Sequence, residues 1–211
     1  MEVSGYKIEP GSDLTGANLT GANLTGANLT GANLTGANLA GVNLIRADLT
    51  GAKLIGADLT DANLTGANMV RADLIRADLA DANLSGAELE DANLQDANLQ
   101  SANLQSTNLV RAKLQGAELT DTNLQGTNLR GANLEDANLE DANLEGAYLE
   151  DANLTDASLY GAKLQGAKLH ALKFGAEYSH RSPTGSPIGS PIGSPIGNPI
   201  GKTQFDRQSN T

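Results

Sequence analysis

Every fifth residue from Leu14 to Leu169 is leucine, with Met69 the single exception and Phe174 in the next place. A period of five fits neither regular structure. On an α-helix each step of five lands about 140° from the last, so the leucines spiral round the surface and form no stripe. On a straight strand an odd period sends alternate leucines to opposite faces, and half of them meet water. The chain must therefore bend once per repeat.

The rest of the five-residue word supports a bend at a fixed place. Two positions before each leucine sits alanine, except at Ser12, Val42, Thr107, Thr122, Thr127 and Leu172. Residues two apart on an extended segment point the same way, so Ala and Leu face inward together. The residue just before Leu is usually Asn or Asp, and the two after it are polar, the second often Gly. Glycine tolerates φ > 0 at no steric cost, which marks those two residues as the corner. The chain then coils and successive coils stack, as in other solenoids. Charge pairing leaves the number of sides open. Twenty residues per coil stacks Arg71 on Asp91 on Arg111, Arg76 on Asp96, Lys53 on Asp73 and Arg130 on Glu150; fifteen stacks Arg46 on Asp61 on Arg76 on Asp91, Asp96 on Arg111 and Arg130 on Glu145. Each gives five pairs.

The word A-(D/N)-L-X-X, in 33 consecutive copies from Ser12 to Ala176, resembles the pentapeptide-repeat family. The resemblance implies an all-β chain, a right-handed quadrilateral β-helix of about eight coils with twenty residues per coil. At ~4.8 Å per coil the rod would be roughly 40 Å long. Residues 1–11 are expected to form an N-terminal cap, with Tyr6 and Ile8 as its lids, and residues 12–176 the β-helix. Leu172, Phe174 and Tyr178 are expected to close the last coil. The alternative for a terminal coil is a homodimer interface. In residues 177–211 the stretch SPTGSPIGSPIGSPIGNPIGK repeats every four residues; such composition packs no core and reads as a disordered Ser/Pro/Ile/Gly-rich tail.

Composition excludes several functions. The net charge of −11 argues against direct binding of nucleic acid or an anionic membrane. With no cysteine there is no disulfide framework and no thiolate metal site. The opening MEVSGYKIEPGSDL lacks the basic and apolar regions of a signal peptide, and no apolar run approaches the ~18 residues that span a bilayer, so a cytoplasmic location is expected. The two histidines, His170 and His180, form no acid–His–Ser constellation, and no catalytic residue, cofactor or metal site is expected. The Thr columns that might bind ice are short and mixed (Thr15, Thr35, Ile55, Ile75). The outward Ile45, Ile55, Ile75, Val70 and Val110 suit a strand surface.

Charge is unevenly spread. Residues 12–45 carry one charge, Asp13, whereas residues 131–156 carry eight acids and no base. In a four-sided coil Glu135, Glu140, Glu145 and Glu150 share one repeat position on successive sides and form an acidic collar. With Asp136, Asp141 and Asp151 they are the candidate protein-interaction surface. Lys163, Lys168 and Lys173 follow, so the C-terminal end turns basic. The leading expectation is a non-enzymatic rigid scaffold for an unknown protein partner. The alternative comes from the resemblance, which implies a DNA-mimicking modulator of a type II topoisomerase such as gyrase, and bacterial origin. Two features depart from that pattern: the first coils are neutral, and no apolar C-terminal helix is present to dimerise the chain. DNA also carries a charge every ~1.7 Å of axis, several-fold denser than this rod. The identical opening words LTGAN fit a third, passive reading, a repeat expansion without a dedicated partner.

Overall fold

The structure, a computed structural model, describes residues 1–174. Its organising feature is a parallel pairing of each residue with the one twenty positions on. Starting from Asp13, the pairs run through Asn33, Lys53, Asp73, Asn93, Lys113, Asn133 and Asn153 to Lys173, eight steps in all. Three further columns start at Asn18, Asn23 and Asn28. Twenty residues hold four words, so the coil has four sides. This settles what charge pairing left open. We number the sides by their first inward leucine: Leu14, Leu19, Leu24 and Leu29.

Each side is only about three residues long, so most of the ladder consists of single bridges. The two longer segments that pair across coils are Asn153–Leu154 and Lys173–Phe174. The bonds are regular. Leu19 N–H donates to the Asn38 carbonyl at 2.8 Å, Asn38 N–H returns to the Ala17 carbonyl at 2.9 Å, and Gly21 N–H donates to the Ala40 carbonyl at 2.9 Å. Together these bonds tie each coil to the next and satisfy backbone groups that burial would otherwise leave unpaired.

The corner lies after each leucine, as the word implies. Ala22 N–H donates to the Leu19 carbonyl at 3.0 Å, closing a four-residue turn. Its third residue, Gly21, has φ +63°, while the second, Thr20, is not in the left-handed region. Among hydrogen-bonded turns that combination defines type II. Arg, Asp or Ser replaces Gly at this position in many words and adopts the same φ, 54° to 60° between Arg46 and Asp156.

The outward Asn or Asp turns out to hold the corner. Asn43 Oδ1 accepts the Ile45 N–H at 3.2 Å, and the same bond recurs at Asn63 with Thr65 and at Asn103 with Gln105. A short amide or carboxylate side chain reaches the N–H two residues on, which is an Asx turn built into every such word. Where Thr follows Leu, its hydroxyl donates to the same oxygen, as Thr50 does to Asp48 at 2.6 Å. The same side chains also form an amide ladder in the column beginning at Asn23, where Asn103 Nδ2 donates to Asn83 Oδ1 (3.3 Å) and Asn123 Nδ2 to Asn103 Oδ1 (3.1 Å). It is secondary to the cap.

Inside, Leu and Ala fill the rod from end to end, and leucines 19 to 114 are completely buried. Burying one leucine contributes about 1.5–3 kcal/mol, so the column is the main source of stability. Thr107, Thr122 and Thr127 replace Ala and are fully buried; their hydroxyls donate to the carbonyls of Leu84, Leu99 and Leu104 in the coil before. At the N-terminal end a hairpin of β1 (Glu2–Val3) and β2 (Tyr6–Lys7) turns through Ser4 and Gly5, both with φ > 0. Two consecutive left-handed residues make the type I′ turn that suits a tight hairpin. Ile8 is buried, Val3 and Tyr6 pack on the core, and Asn18 N–H donates to the Tyr6 hydroxyl at 3.4 Å. At the other end Leu172 packs on the core, but Phe174 is 45% exposed rather than closing the last coil as expected. Tyr178 and the expected tail lie outside the described residues.

Candidate interaction surface

The coil length decides which charges share a side. Glu135, Glu140, Glu145 and Glu150 stand at the second residue of four successive corners, half-buried, and Asp136, Asp141 and Asp151 stand beside three of them, exposed, with φ 56° to 60°. The backbone N–H groups of Glu135, Glu140 and Glu145 are held by Asn133, Asn138 and Asn143 at 3.1–3.2 Å. That leaves the three carboxylates outside the corner bond.

Glu150 differs. The residue before its leucine is Tyr148, which cannot cap the turn. Arg130, one coil earlier, stacks over the Tyr148 ring at 4.6 Å and donates to Glu150 Oε1 at 3.2 Å. Burial pushes the Glu150 carboxyl up, but its own backbone N–H, Arg130 and nearby Lys168 outweigh this and hold it below the ordinary value. Glu150 is therefore paired within the rod, and the exposed Asp151 carries the charge of that corner.

Sorting by side also exposes a feature that inspection of the linear sequence missed. The second side and its corner carry Asp58, Asp61, Asp78, Asp81, Glu118, Asp121, Glu140 and Asp141, and no Lys or Arg from Asn18 to Gly161. Every base between residues 12 and 174 lies on the other three sides. The acid row runs along the rod axis and crosses the collar at Glu140 and Asp141. The signal was available in the sequence, but only by counting in twenties.

Elsewhere charges pair across coils. Arg111 Nε donates to Asp91 at 2.9 Å and its Nη2 reaches Glu90 as well, a diagonal partner that charge stacking had not suggested. Hydrogen bonding to Arg111, reinforced by its charge, holds the Asp91 carboxyl below its usual range. Arg76 and Asp96 are 3.9 Å apart. The outward Ile45, Ile55, Ile75, Val70 and Val110 are split among three corners and make no single patch. Among the described residues no group of three His, Asp or Glu is placed to hold a metal ion, and no helix is long and apolar enough to cross a membrane.

The family model described as pentapeptide repeats (8 copies) matches residues 12–51, 43–80, 57–96, 92–131 and 132–170. The chain belongs to the pentapeptide-repeat family. Proteins of that family form right-handed quadrilateral β-helices and are generally structural or binding proteins rather than enzymes. Three solved pentapeptide-repeat structures illustrate the likeness. HetL, involved in heterocyst differentiation regulation in the cyanobacterium Nostoc sp. strain PCC 7120, is 34% identical, with 79% of this chain and 88% of that one covered and a TM-score of 0.36. A trypsin-treated form of QnrB1, a plasmid-mediated fluoroquinolone resistance protein, is 18% identical over 79% of this chain and 89% of that one, with a TM-score of 0.53. Rfr23 from the cyanobacterium Cyanothece 51142 is 42% identical over 46% of this chain and 63% of that one, with a TM-score of 0.35. A comparison with curated proteins finds no match. At 18% identity the QnrB1 likeness speaks for the fold of this pentapeptide-repeat chain and for nothing further.

Proposed function

We propose that this pentapeptide-repeat chain is a non-enzymatic rigid scaffold that binds a protein partner, without a cofactor, in the bacterial cytoplasm. The observation that supports it is the sorting of charge: one side carries acids and no base, while the other three mix both signs. A solvated surface built only for solubility needs no such sorting. The surface offered is the second side together with the collar residues Glu135, Asp136, Glu140, Asp141, Glu145, Glu150 and Asp151. Complementary potential favours a partner with a basic face, through its association rate and specificity. The test is a pull-down with the wild type and with a variant in which Glu135, Glu140 and Glu145 become Gln. Retention of one specific protein by the wild type and its loss from the variant supports the scaffold; equal retention by both removes the collar from the reading.

A second reading, a DNA-mimicking modulator of gyrase or another type II topoisomerase, is favoured by the acid row on the second side. Its test is a gyrase supercoiling assay with the wild type and a variant carrying Asn at Asp58, Asp61, Asp78 and Asp81. Inhibition by the wild type and not by the variant would put this reading first. No effect from either protein would end it for gyrase.

A further inference from the structure

We propose that the C-terminal end of the rod docks an acidic protein segment that carries apolar side chains. This surface lies one coil beyond the collar, and the inference stands without the collar or the acid row of the second side.

The two ends of the leucine column differ. Leu14, Leu19, Leu24 and Leu29 are at most 2% exposed beneath the N-terminal hairpin, whereas Leu164, Leu169 and Leu172 are partly exposed, with Tyr160 on the same coil 65% exposed.

The chain's own continuation is the wrong material for another coil. In the established register Glu177 would take the inward Ala position and Ser179 the inward Leu position. Residue 183, due to donate to the Ala162 carbonyl, is proline and has no N–H.

Charge then selects the occupant. Lys163, Lys168 and Lys173 occupy the same word position on three successive sides of the last coil, all exposed, and Asp156 is the sole acid from residue 155 to residue 174. Residues 175–211 carry Arg181, Lys202 and Arg207 against Glu177 and Asp206, the same sign as the lysines. A second copy related by a two-fold axis would set lysines against lysines. A flat anionic membrane would face the collar one coil back and a chain of net charge −11. A single acidic segment can meet the lysines and lay its apolar side chains on the exposed leucine ends while staying clear of the collar.

The test uses the full chain and a short fluorescent peptide alternating glutamate and leucine, with a lysine–leucine peptide as control and anisotropy as the readout. The expected result is saturable binding of the acidic peptide alone, weakened by about tenfold or more in the variant Lys163→Glu, Lys168→Glu, Lys173→Glu. A thermal melt checks that this variant is folded. The Gln variant of the collar should bind at least as tightly as the wild type, which separates this end from the collar. Equal binding of both peptides, or an unchanged affinity in the Glu variant, overturns the proposal. So does a dimer in sedimentation that excludes the peptide, binding that appears only when residues 182–211 are removed, or capture of anionic phosphatidylglycerol vesicles with no binding of peptide.

Discussion

Thr107 sends its hydroxyl to the Leu84 carbonyl, 2.9 Å away in the preceding coil and wholly inside the rod. That carbonyl already accepts the Ala87 N–H of its own turn at 3.0 Å. Removing the hydroxyl therefore deletes one bond without orphaning the acceptor. Thr107→Val should cost about 0.5–1.5 kcal/mol, the net value of one hydrogen bond. The urea midpoint should fall accordingly. A loss above about 3 kcal/mol, the upper range for leaving a buried polar group unsatisfied, would mean that the hydroxyl has a larger role than this geometry gives it.

Ala97 is completely buried where the backbone of the second side approaches the leucine column. Ala97→Leu should overpack the coil and destabilise it by about 1–3 kcal/mol, read as a lowered melting temperature. An unchanged melt would show that the column can shift to admit another leucine.

Gly56 has φ +61°, yet a Cβ built there meets nothing within 4 Å. Sterics with neighbours and backbone preference are thus separable at this corner. Gly56→Val should destabilise by about 1–3 kcal/mol through the backbone conformation, since β-branched residues avoid this region. Gly56→Asn should be close to neutral because Asn tolerates left-handed φ. Equal losses for both would point to contacts instead.

Asp48 caps its corner through the hydroxyl and then the backbone N–H of Thr50, which hold its carboxyl below the ordinary value. A group with a depressed folded pKa stabilises above its unfolded value and loses that contribution as pH falls through the folded one. The contribution should therefore be intact above about pH 4 and fade below it. Asp48→Asn keeps the cap, as Asn28 and Asn68 do in the same column. Chemical denaturation from pH 6 down to pH 2 should show a shallower acid loss in the Asn variant; parallel curves would rule out this cap as a source of acid sensitivity.

The interior was legible in the sequence and the exterior largely was not. Leu19 and Ala22 announce their places because inward packing keeps those positions apolar or small, and Gly21 because it reaches positive φ at no steric cost. Coil length could not be read from Arg76, Arg111 or Arg130, since each finds an acid at fifteen residues and at twenty. Only in coils of twenty, the spacing of Asp13 and Asn33, do the acids from Asp58 to Asp141 fall in one row. The capping by Asn43 was also hidden. An outward amide reads as a stacking group from its column, and its bond to Ile45 N–H follows only from the turn geometry. Phe174 misled because its place in the period matches the leucines, while the next two inward places hold the polar Glu177 and Ser179.

Pairing at twenty and packing at five give the gene two units of edit. Insertion or loss of one five-residue word anywhere in the rod leaves every leucine inward and every corner a corner. It also turns all residues downstream by one side relative to those upstream. A word inserted between Asp91 and Arg111 would carry Arg111 to a neighbouring corner, and the acid row would break at the insertion and resume on another side. Only a change of four words preserves the pattern. Slippage in repeat number can thus rearrange the outside of this protein wholesale, with no new residue type and no injury to the core.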